Sequence, residues 1–146
     1  MTDLGRFREL AAADHGLCAV SMLRDDGSVA AAVVNAGVMP HPLDGSEVVA
    51  FVARGLRKLD HLRADRRVTV VARSGWRWAA VDGAAEIIGP DDAHPDVDAE
   101  RLRVLLRDVF VAAGGTHDDW DTYDRTMAEE RSAAVLVTPV RSYPSG

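Results

Sequence analysis

The spacing of apolar residues along the chain changes from a helical period to a period of two, and later returns to a helical period. A first helix is predicted over residues 3–13, and its apolar face consists of Leu4, Phe7, Leu10 and Ala11. Residues His15 and Gly16 mark its end. From there alternating or continuous apolar runs predict six strands, at residues 17–24, 29–38, 48–53, 67–73, 76–89 and 132–140.

Turn residues connect these runs at short intervals. A hairpin is predicted at Asp25–Ser28, a proline-containing loop at residues 39–46 and a tight turn at Ser74–Gly75. Gly83 is expected to bend the fifth strand by a bulge, and Pro139 to lie at an edge or an end of the last strand. Six strands joined mainly by hairpins predict a closed or nearly closed antiparallel barrel.

Two further helices are predicted between the fifth and sixth strands. Residues 98–113 carry one apolar stripe, which ends at Gly114–Gly115 and consists of Leu102, Leu105, Leu106, Val109 and Ala113. Thr116 is expected to cap the next helix, on which Trp120, Tyr123 and Met127 share a face. The chain is therefore predicted to be one mainly β domain, residues 1–146, with peripheral helices.

The second predicted strand is poor in large side chains. Alanines at 30–32 and the pair Ala36–Gly37 leave little bulk on either face. Such a strand can pack closely under a helix, or it can let a flat ligand lie against its backbone. The sequence leaves both interpretations open.

Composition and charge exclude several classes of protein. The chain has 47% hydrophobic and 27% charged residues and a net charge of −6, which argues against nonspecific binding to DNA or to anionic membranes. Cys18 is the single cysteine, so neither a disulfide framework nor a cysteine zinc site is expected. No apolar run has the length of a membrane span, and no signal peptide is recognisable at the N-terminus. A cytoplasmic location is expected.

Positive charge is concentrated in one segment of this acidic chain. Between Arg54 and Arg73 lie seven of the seventeen cations and only two aspartates, a net charge of about +5. The leucines at 56, 59 and 62 predict a short helix here, with Arg54, Arg57 and Lys58 at or near its N-terminal turn. A helix N-terminus also favours anions, so the segment is predicted to bind one. The alternative interpretation is a solvated helix face.

No self-sufficient catalytic motif is present. The chain lacks nucleophile-elbow, P-loop and dinucleotide-binding glycine patterns, and its five histidines do not have the spacing of metal ligands. The aspartates at 118–124 do not follow a calcium-loop pattern, so no metal is expected. An enzyme of this kind would take its chemistry from a cofactor.

Three stretches resemble one known family. The runs ARGLRKLDHLRADRRVTVV, SGWRWAAVDGAAEIIGPDD and AAGGTHDDWDTYDRTMAEERSAAVLVTPVRSY resemble the deazaflavin-dependent branch of the pyridoxamine 5′-phosphate oxidase-like family. The resemblance spans nearly the whole chain. It implies a six-stranded antiparallel split β-barrel, a homodimer with two cofactor sites at its interface, and coenzyme F420 as cofactor, with FMN as the alternative.

The same resemblance implies a set of cofactor-binding residues. Lys58 matches the family's phosphate-binding lysine, and Arg54 and Arg57 flank it. The strand beside the deazaflavin ring matches Ala32, Val33, Val34 and Asn35, and the aromatic pair near the cofactor matches Trp76 and Trp78. His61 and Arg66 stand where family members usually have Asn and Pro. His61 can still donate a hydrogen bond, so it remains a candidate phosphate ligand.

Three functions follow as hypotheses from this resemblance. The first is an F420-dependent oxidoreductase that transfers a hydride between reduced F420 and a small conjugated organic substrate. The second is an FMN-dependent enzyme of the pyridoxamine phosphate oxidase type, and the third is a carrier that binds F420 or haem without turnover. No side chain is assigned a catalytic role, and neither nucleic acid nor a membrane is expected as a partner.

Overall fold

The computed structural model of the protein describes residues 2–54 and 56–144. Its strands are β1 (Leu17–Leu23), β2 (Val29–Pro40), β3 (Glu47–Ala53), β4 (Arg67–Ser74), β5 (Arg77–Ile88) and β6 (Ala133–Tyr143). Its helices are α1 (Gly5–Ala13), α2 (Leu56–Ala64), α3 (Ala99–Ala112) and α4 (Trp120–Glu129). The strands form a closed antiparallel barrel in the order β1-β2-β3-β6-β5-β4, which confirms the predicted fold class. None of the helices described here is long and apolar enough to cross a membrane.

Two hydrophobic clusters explain why some strands alternate and others are continuously apolar. One cluster fills the barrel and includes Phe7 of α1, Val49 and Phe51. The other lies between the outer face of β3 and β6 and the helices α3 and α4, and it includes Val48 and Ala50. Successive β3 residues therefore enter opposite clusters, so both faces of this strand are buried and its sequence is apolar throughout.

Two predicted boundaries are shifted in the structure. The second strand continues through Pro40, which pairs with Glu47, so the expected loop shortens to residues 41–46. The tight turn consists of Gly75 and Trp76, because Ser74 pairs directly with Arg77. A two-residue hairpin turn needs a positive φ, and Gly75 supplies it at 62°.

The register of β5 against β6 shifts at Gly83, where the bulge was predicted, but the additional residue lies on β6 and not on β5. Asp82 is paired with Arg141 and Gly83 with Pro139, so Val140 is the residue without a partner in this ladder. β3 pairs only with residues 133–137 of β6, whereas β5 pairs with β6 as far as Tyr143. Pro139 thus lies where the strand has a partner on one side, and there a missing N–H is tolerated.

Thr116 was predicted to cap α4, and that prediction is wrong. Asp119 is the N-cap, and its carboxylate accepts a hydrogen bond from the backbone N–H of Thr122 at 3.1 Å. The backbone N–H of Asp119 in turn donates to Nδ1 of His117 at 2.9 Å. The turn that these bonds hold leaves Thr116 outside the helix, so its hydroxyl is replaced as cap by a carboxylate.

Substituting Asp119 with alanine should lower the free energy of unfolding by about 1 kcal/mol, because the side-chain cap of α4 is lost. Thr116→Ala, three residues earlier, should have an effect close to zero. Urea unfolding of both variants checks the assignment. Equal losses in the two variants would contradict it.

The basic segment forms the predicted helix. Leu59 and Leu62 are buried against the barrel, as expected from their spacing. Gly55, expected to break the strand before it, and the side chain of Leu56 lie outside the described residues. Cys18 is a free, buried thiol, and burial raises its pKa to about 12, so it is expected to be unreactive.

Candidate functional site

Two cavities meet at Arg54 and Lys58. The first, of about 500 Å³, lies between β2, β3 and the helices α3 and α4. The second, of about 400 Å³, lies between β2 and α2. The first is lined by Val33, Val34, Asn35, Val52, Arg54, Lys58, Val109, Phe110, Ala113, Tyr123 and Met127, and the second by Met22, Ala30, Ala31, Ala32, Arg54, Arg57, Lys58 and His61. Eight of the ten residues singled out from the sequence are therefore brought together.

The small residues of β2 have different surroundings in the two halves of the strand. Ala30–Ala32 line the second cavity, where the absence of bulk leaves room for a ligand. Gly37 instead packs under the end of α3, since a Cβ at this position would lie 2.0 Å from the carbonyl oxygen of Ala112. The first half of the strand thus contributes to the cavity, and the second half supports a helix that forms part of the cavity wall.

Two carboxylates from outside the basic segment, Glu130 and Asp92, reduce its net charge from about +5 to about +3. Arg54 pairs with Glu130 at 2.7 Å, and Arg63 pairs with Asp92 at 2.5 Å. The remaining partners are Asp60 for Arg63, Asp65 for Arg67, and the backbone carbonyls of Ala85 and Gly75 for Arg66 and Arg73. The excess charge that the sequence shows is therefore reduced, and only part of it faces the cavities.

Arg57 and Lys58 differ from these cations. Among the described residues, neither pairs with a carboxylate, and the nearby Asp60 and Asp65 are engaged by Arg63 and Arg67. Lys58 is half-buried, and burial, with a smaller contribution from the neighbouring Arg54 charge, lowers its pKa below the ordinary 10.5. A desolvated cation that lacks a counterion favours binding of an anion, because an anion would restore the lost electrostatic stabilisation.

Asn35 and Val33 face the first cavity from the exposed side of β2. Asn35 Nδ2 donates to the carbonyl oxygen of His15 at 3.0 Å, which fixes the orientation of the amide. Val33 is 69% exposed, a large value for an apolar residue in the middle of a strand. The oriented amide of Asn35 is suited to hydrogen-bond the edge of a flat ligand ring, and the exposed side chain of Val33 is suited to contact its face.

The first cavity has a helical wall that the residue pattern did not predict. Phe110, Tyr123 and Met127 form this wall, and Phe110 lies 5.0 Å from Tyr123 between ring centroids. Tyr123 donates its hydroxyl hydrogen to the carbonyl oxygen of Leu106 at 2.9 Å, and burial raises its pKa to about 12. Tyr123 is thus a packing residue and a poor proton donor. Apolar spacing identified the buried stripe of each helix but could not show that the two stripes leave a gap.

Trp76 and Trp78 are placed elsewhere. Among the described residues, neither belongs to the lining of these two cavities. Trp76 was predicted to lie in the fifth strand, but it lies in the turn before that strand and is 99% exposed. Trp78 is 42% exposed and packs edge-on against Tyr143, with ring centroids 6.1 Å apart. Their contact with a cofactor stays a prediction.

No protein-family model matches the sequence. Solved structures do resemble it. A conserved hypothetical protein from Mycobacterium tuberculosis is 15% identical, with a TM-score of 0.65, and the match covers 98% of this chain and 85% of that one. A pyridoxamine 5′-phosphate oxidase-related, FMN-binding protein from Nostoc punctiforme is 16% identical, with a TM-score of 0.59 and coverage of 95% and 78%. An F420 reductase is 16% identical, with a TM-score of 0.56 and coverage of 87% and 88%.

At these identities the likeness shows the fold. The protein has the split-barrel fold of the pyridoxamine 5′-phosphate oxidase-like structures, in agreement with its closed six-stranded sheet. Proteins with this fold include one described as FMN-binding and one described as an F420 reductase. Function must be argued from the site, because one fold supports many functions.

Proposed function

We propose that this protein is an oxidoreductase that uses coenzyme F420 to reduce a small conjugated organic molecule. The observation that carries the proposal is the position of Lys58. It is a half-buried cation at the junction of two cavities, and no carboxylate of the described residues pairs with it. An anionic group bound there would place the rest of its molecule in an apolar cleft.

The lining fits a molecule that joins a flat ring to a phosphate and an anionic tail. The cavities of about 500 and 400 Å³ lie in the range of small-molecule sites. Lys58 and Arg57, at the N-terminal turn of α2, would hold the phosphate together with His61, and Arg54 would attract further negative charge. The ring would lie against the small or apolar residues of β2, which the resemblance also assigns to it: Ala32, Val33, Val34 and Asn35.

Reduced F420 supplies a hydride when it is bound. The residues of the chain have the other tasks. The cations bind the anionic groups of the cofactor, and the oriented Asn35 amide and the wall of Phe110 and Met127 restrict where the substrate can lie against the cofactor ring. The same apolar wall excludes water from the space between the cofactor ring and the substrate. Because the hydroxyl of Tyr123 is already engaged, we assign no proton transfer to a side chain.

FMN is the second candidate, since a protein with this fold is described as FMN-binding. FMN also carries a ring and a phosphate but lacks a tail of carboxylates. Arg54, Arg57 and Lys58 line the second cavity, but Arg54 is paired with Glu130, so two cations without a carboxylate partner remain for a phosphate. Their number suits either cofactor, and F420 is preferred because the sequence resembles the deazaflavin-dependent branch.

Purification from a host without F420, followed by titration with F420 and with FMN, tests the proposal. Tighter binding of F420 is expected, and reduced F420 should be oxidised when quinones, enones and nitroaromatics are offered as acceptors. Yellow protein with bound FMN would favour the second candidate. Tight binding of F420 without turnover on any acceptor would favour a carrier.

The affinity of the wild type for F420 should fall as the pH rises toward 10. Because the pKa of Lys58 is lowered, its ammonium loses the proton at a lower pH than an exposed lysine would, whereas a phosphate stays anionic at alkaline pH. Lys58→Arg keeps its charge over this range and should bind with little pH dependence. Fluorescence titrations from pH 7 to 10 measure the difference, and parallel profiles of the two proteins would contradict it.

We also propose that two copies of the chain associate through the outer face of β1, β2 and β4. Side chains on this face form cross-strand rows, one of which joins Val33, Ala19 and Val71. Leu17, Val29 and Val33 on the same face are 43%, 60% and 69% exposed. Apolar strands exposed in this way favour burial against a second copy, and the first cavity opens beside them at Val33.

Ala19→Glu should convert the dimer to a monomer, since it places a charge at the centre of this face and Ala19 lines neither cavity. Ala12→Glu, at an exposed position of α1, is the matched control. Sedimentation of the wild type without cofactor should give twice the chain mass of 15.7 kDa. A wild-type monomer would contradict the proposed dimer.

A further inference from the structure

The side chain of Phe110, in the wall of the first cavity, is packed among other rings. Its centroid lies 5.0 Å from that of Tyr123 and 6.0 Å from that of Trp120, both on α4. The ring of His117, in the segment that leads into α4, is 6.2 Å away. Phe110 therefore joins the end of α3 to the beginning of α4.

Two of these neighbouring rings have contacts of their own that limit their movement. The guanidinium of Arg107 lies over the ring of Trp120, 5.1 Å from its centroid. Nδ1 of His117 accepts a hydrogen bond from the backbone N–H of Asp119 at 2.9 Å. The ring of Phe110 thus has surroundings that are themselves held in place.

Gly115 lies against the outer edge of the same ring. A Cβ at this position would lie 2.6 Å from Cε1 and Cζ of Phe110 and 2.7 Å from Cε2. The φ of Gly115 is outside the left-handed region, so close approach to the ring, and not backbone conformation, requires glycine here. The backbone N–H of Gly115 also donates to the carbonyl oxygen of Phe110 at 2.9 Å, so an added methyl group would displace the ring and not the backbone.

The position of this ring sets one dimension of the first cavity, which is the open space beside it. A ring displaced from Gly115 should move into the cavity, because its other neighbours are packed rings. Removal of the ring should enlarge the cavity, since neighbours that are held in place collapse only partly into a gap.

We infer that Phe110, positioned by Gly115, limits the size of the flat acceptor that the first cavity takes. The inference rests on the function proposed above, and it narrows the class of substrate. The cavity of about 500 Å³ has to hold the three-ring system of F420 and the acceptor together, so the acceptor has at most two fused rings. It is also uncharged, because Phe110 and Met127 present apolar surface to it and the phosphate of the cofactor occupies the cations.

Two quinones test this limit. 1,4-Naphthoquinone and 1,4-anthraquinone share the reacting quinone ring and differ by one fused ring. The size ratio is defined as kcat/KM for 1,4-anthraquinone divided by kcat/KM for 1,4-naphthoquinone, with reduced F420 as the donor. Comparing the size ratio of each variant with that of the wild type removes the difference in intrinsic reactivity between the two quinones.

Phe110→Ala should raise the size ratio about tenfold or more, the range expected when an apolar pocket changes its shape. Leu102→Ala is the matched control. It removes a half-buried apolar side chain from the same helix, and Leu102 lines neither the first nor the second cavity. Its size ratio should equal that of the wild type. An unchanged size ratio in Phe110→Ala would overturn the inference.

Gly115→Ala should lower the size ratio, because the displaced ring narrows the cavity. In the double variant Phe110→Ala/Gly115→Ala the added methyl group should have no further effect, since it acts only through the ring. A merely structural role of Gly115 would reduce kcat/KM for both quinones by the same factor. That outcome, or an equal effect of Gly115→Ala with and without the ring, would overturn the role given to Gly115.

Binding of the two quinones to the protein without cofactor gives the same comparison without turnover. Quenching of tryptophan fluorescence measures it, because Trp120 lies next to Phe110. The ratio of the two affinities should rise in Phe110→Ala and fall in Gly115→Ala. If these affinities change as expected but neither quinone oxidises reduced F420, the proposed oxidoreductase function fails and the size limit stands. Turnover with unchanged ratios in both measurements would overturn the size limit and leave the proposed function intact.

Discussion

Replacing Lys58 with methionine should lower the affinity for F420 between tenfold and a hundredfold and leave stability nearly unchanged. Methionine keeps much of the length of the side chain and removes only the charge. A hydrogen bond to a charged group contributes about 1.5–3 kcal/mol, and about 1.4 kcal/mol corresponds to a factor of ten. Isothermal titration calorimetry of both proteins measures the loss.

Arg125→Met is the matched control, because it removes one positive charge from an exposed helix residue whose guanidinium bonds only to Thr122 among the described residues. Its affinity for F420 should equal that of the wild type. Binding to the wild type should weaken with added salt, and Lys58→Met should show a smaller salt dependence. Equal losses in the two variants would mean that net charge, and not a local contact, attracts the cofactor.

Replacing Gly37 with alanine should destabilise the protein by about 3 kcal/mol, the upper part of the range for overpacking. The added Cβ would lie 2.0 Å from the carbonyl oxygen of Ala112 and 2.4 Å from its carbon. Both are backbone atoms, so no side-chain rotation relieves the overlap. Gly37 is also paired with Ala50 within the closed barrel, and the adjustment must therefore come from α3.

Movement of α3 would change the first cavity, because this helix supplies Val109 and Phe110 to its wall. We therefore expect Gly37→Ala to weaken F420 binding as well. Gly27→Ala is the control, since it lies in a hairpin turn with φ 84° and open space around it. Its cost should be only the 1–2 kcal/mol of a left-handed conformation. Denaturant unfolding compares the two, and equal losses would contradict the proposed overlap.

Sequence reasoning was reliable for features that depend on a few neighbouring residues. The turn at Gly75 was located because it needs a positive φ, which glycine permits. Gly83 marks the position of the register shift, but the reason for glycine there is not local, since a Cβ would lie 2.3 Å from the carbonyl oxygen of Thr138 on β6. The N-cap of α4 was misplaced, although the necessary residue types were all present. Several capping residues follow Gly115 in sequence, and the one that is used depends on where α4 meets α3.

The candidate site was located only in part. The cations at 54, 57 and 58 were identified by residue type and helix position, and the structure places them together. Which cations of the segment are paired with a carboxylate was not predictable from the sequence. Arg54 pairs with a glutamate 76 positions away, and Arg63 pairs with an aspartate 29 positions away. The aromatic wall of the first cavity was missed because buried stripes of two helices have the same pattern whether or not a gap lies between them.

Periodicity and turn chemistry are local, so the pattern of residues was sufficient to establish six strands, an antiparallel barrel and a helix that presents cations. Other features depend on contacts between residues far apart in the chain. They are the ion pairs of those cations, the first cavity between the barrel and the helices α3 and α4, and the exposed position of Trp76. Such contacts arise only when the barrel closes and the helices pack on it. The chemical character of the site was therefore visible in the sequence, and the tertiary structure decided which charges stay available to a ligand.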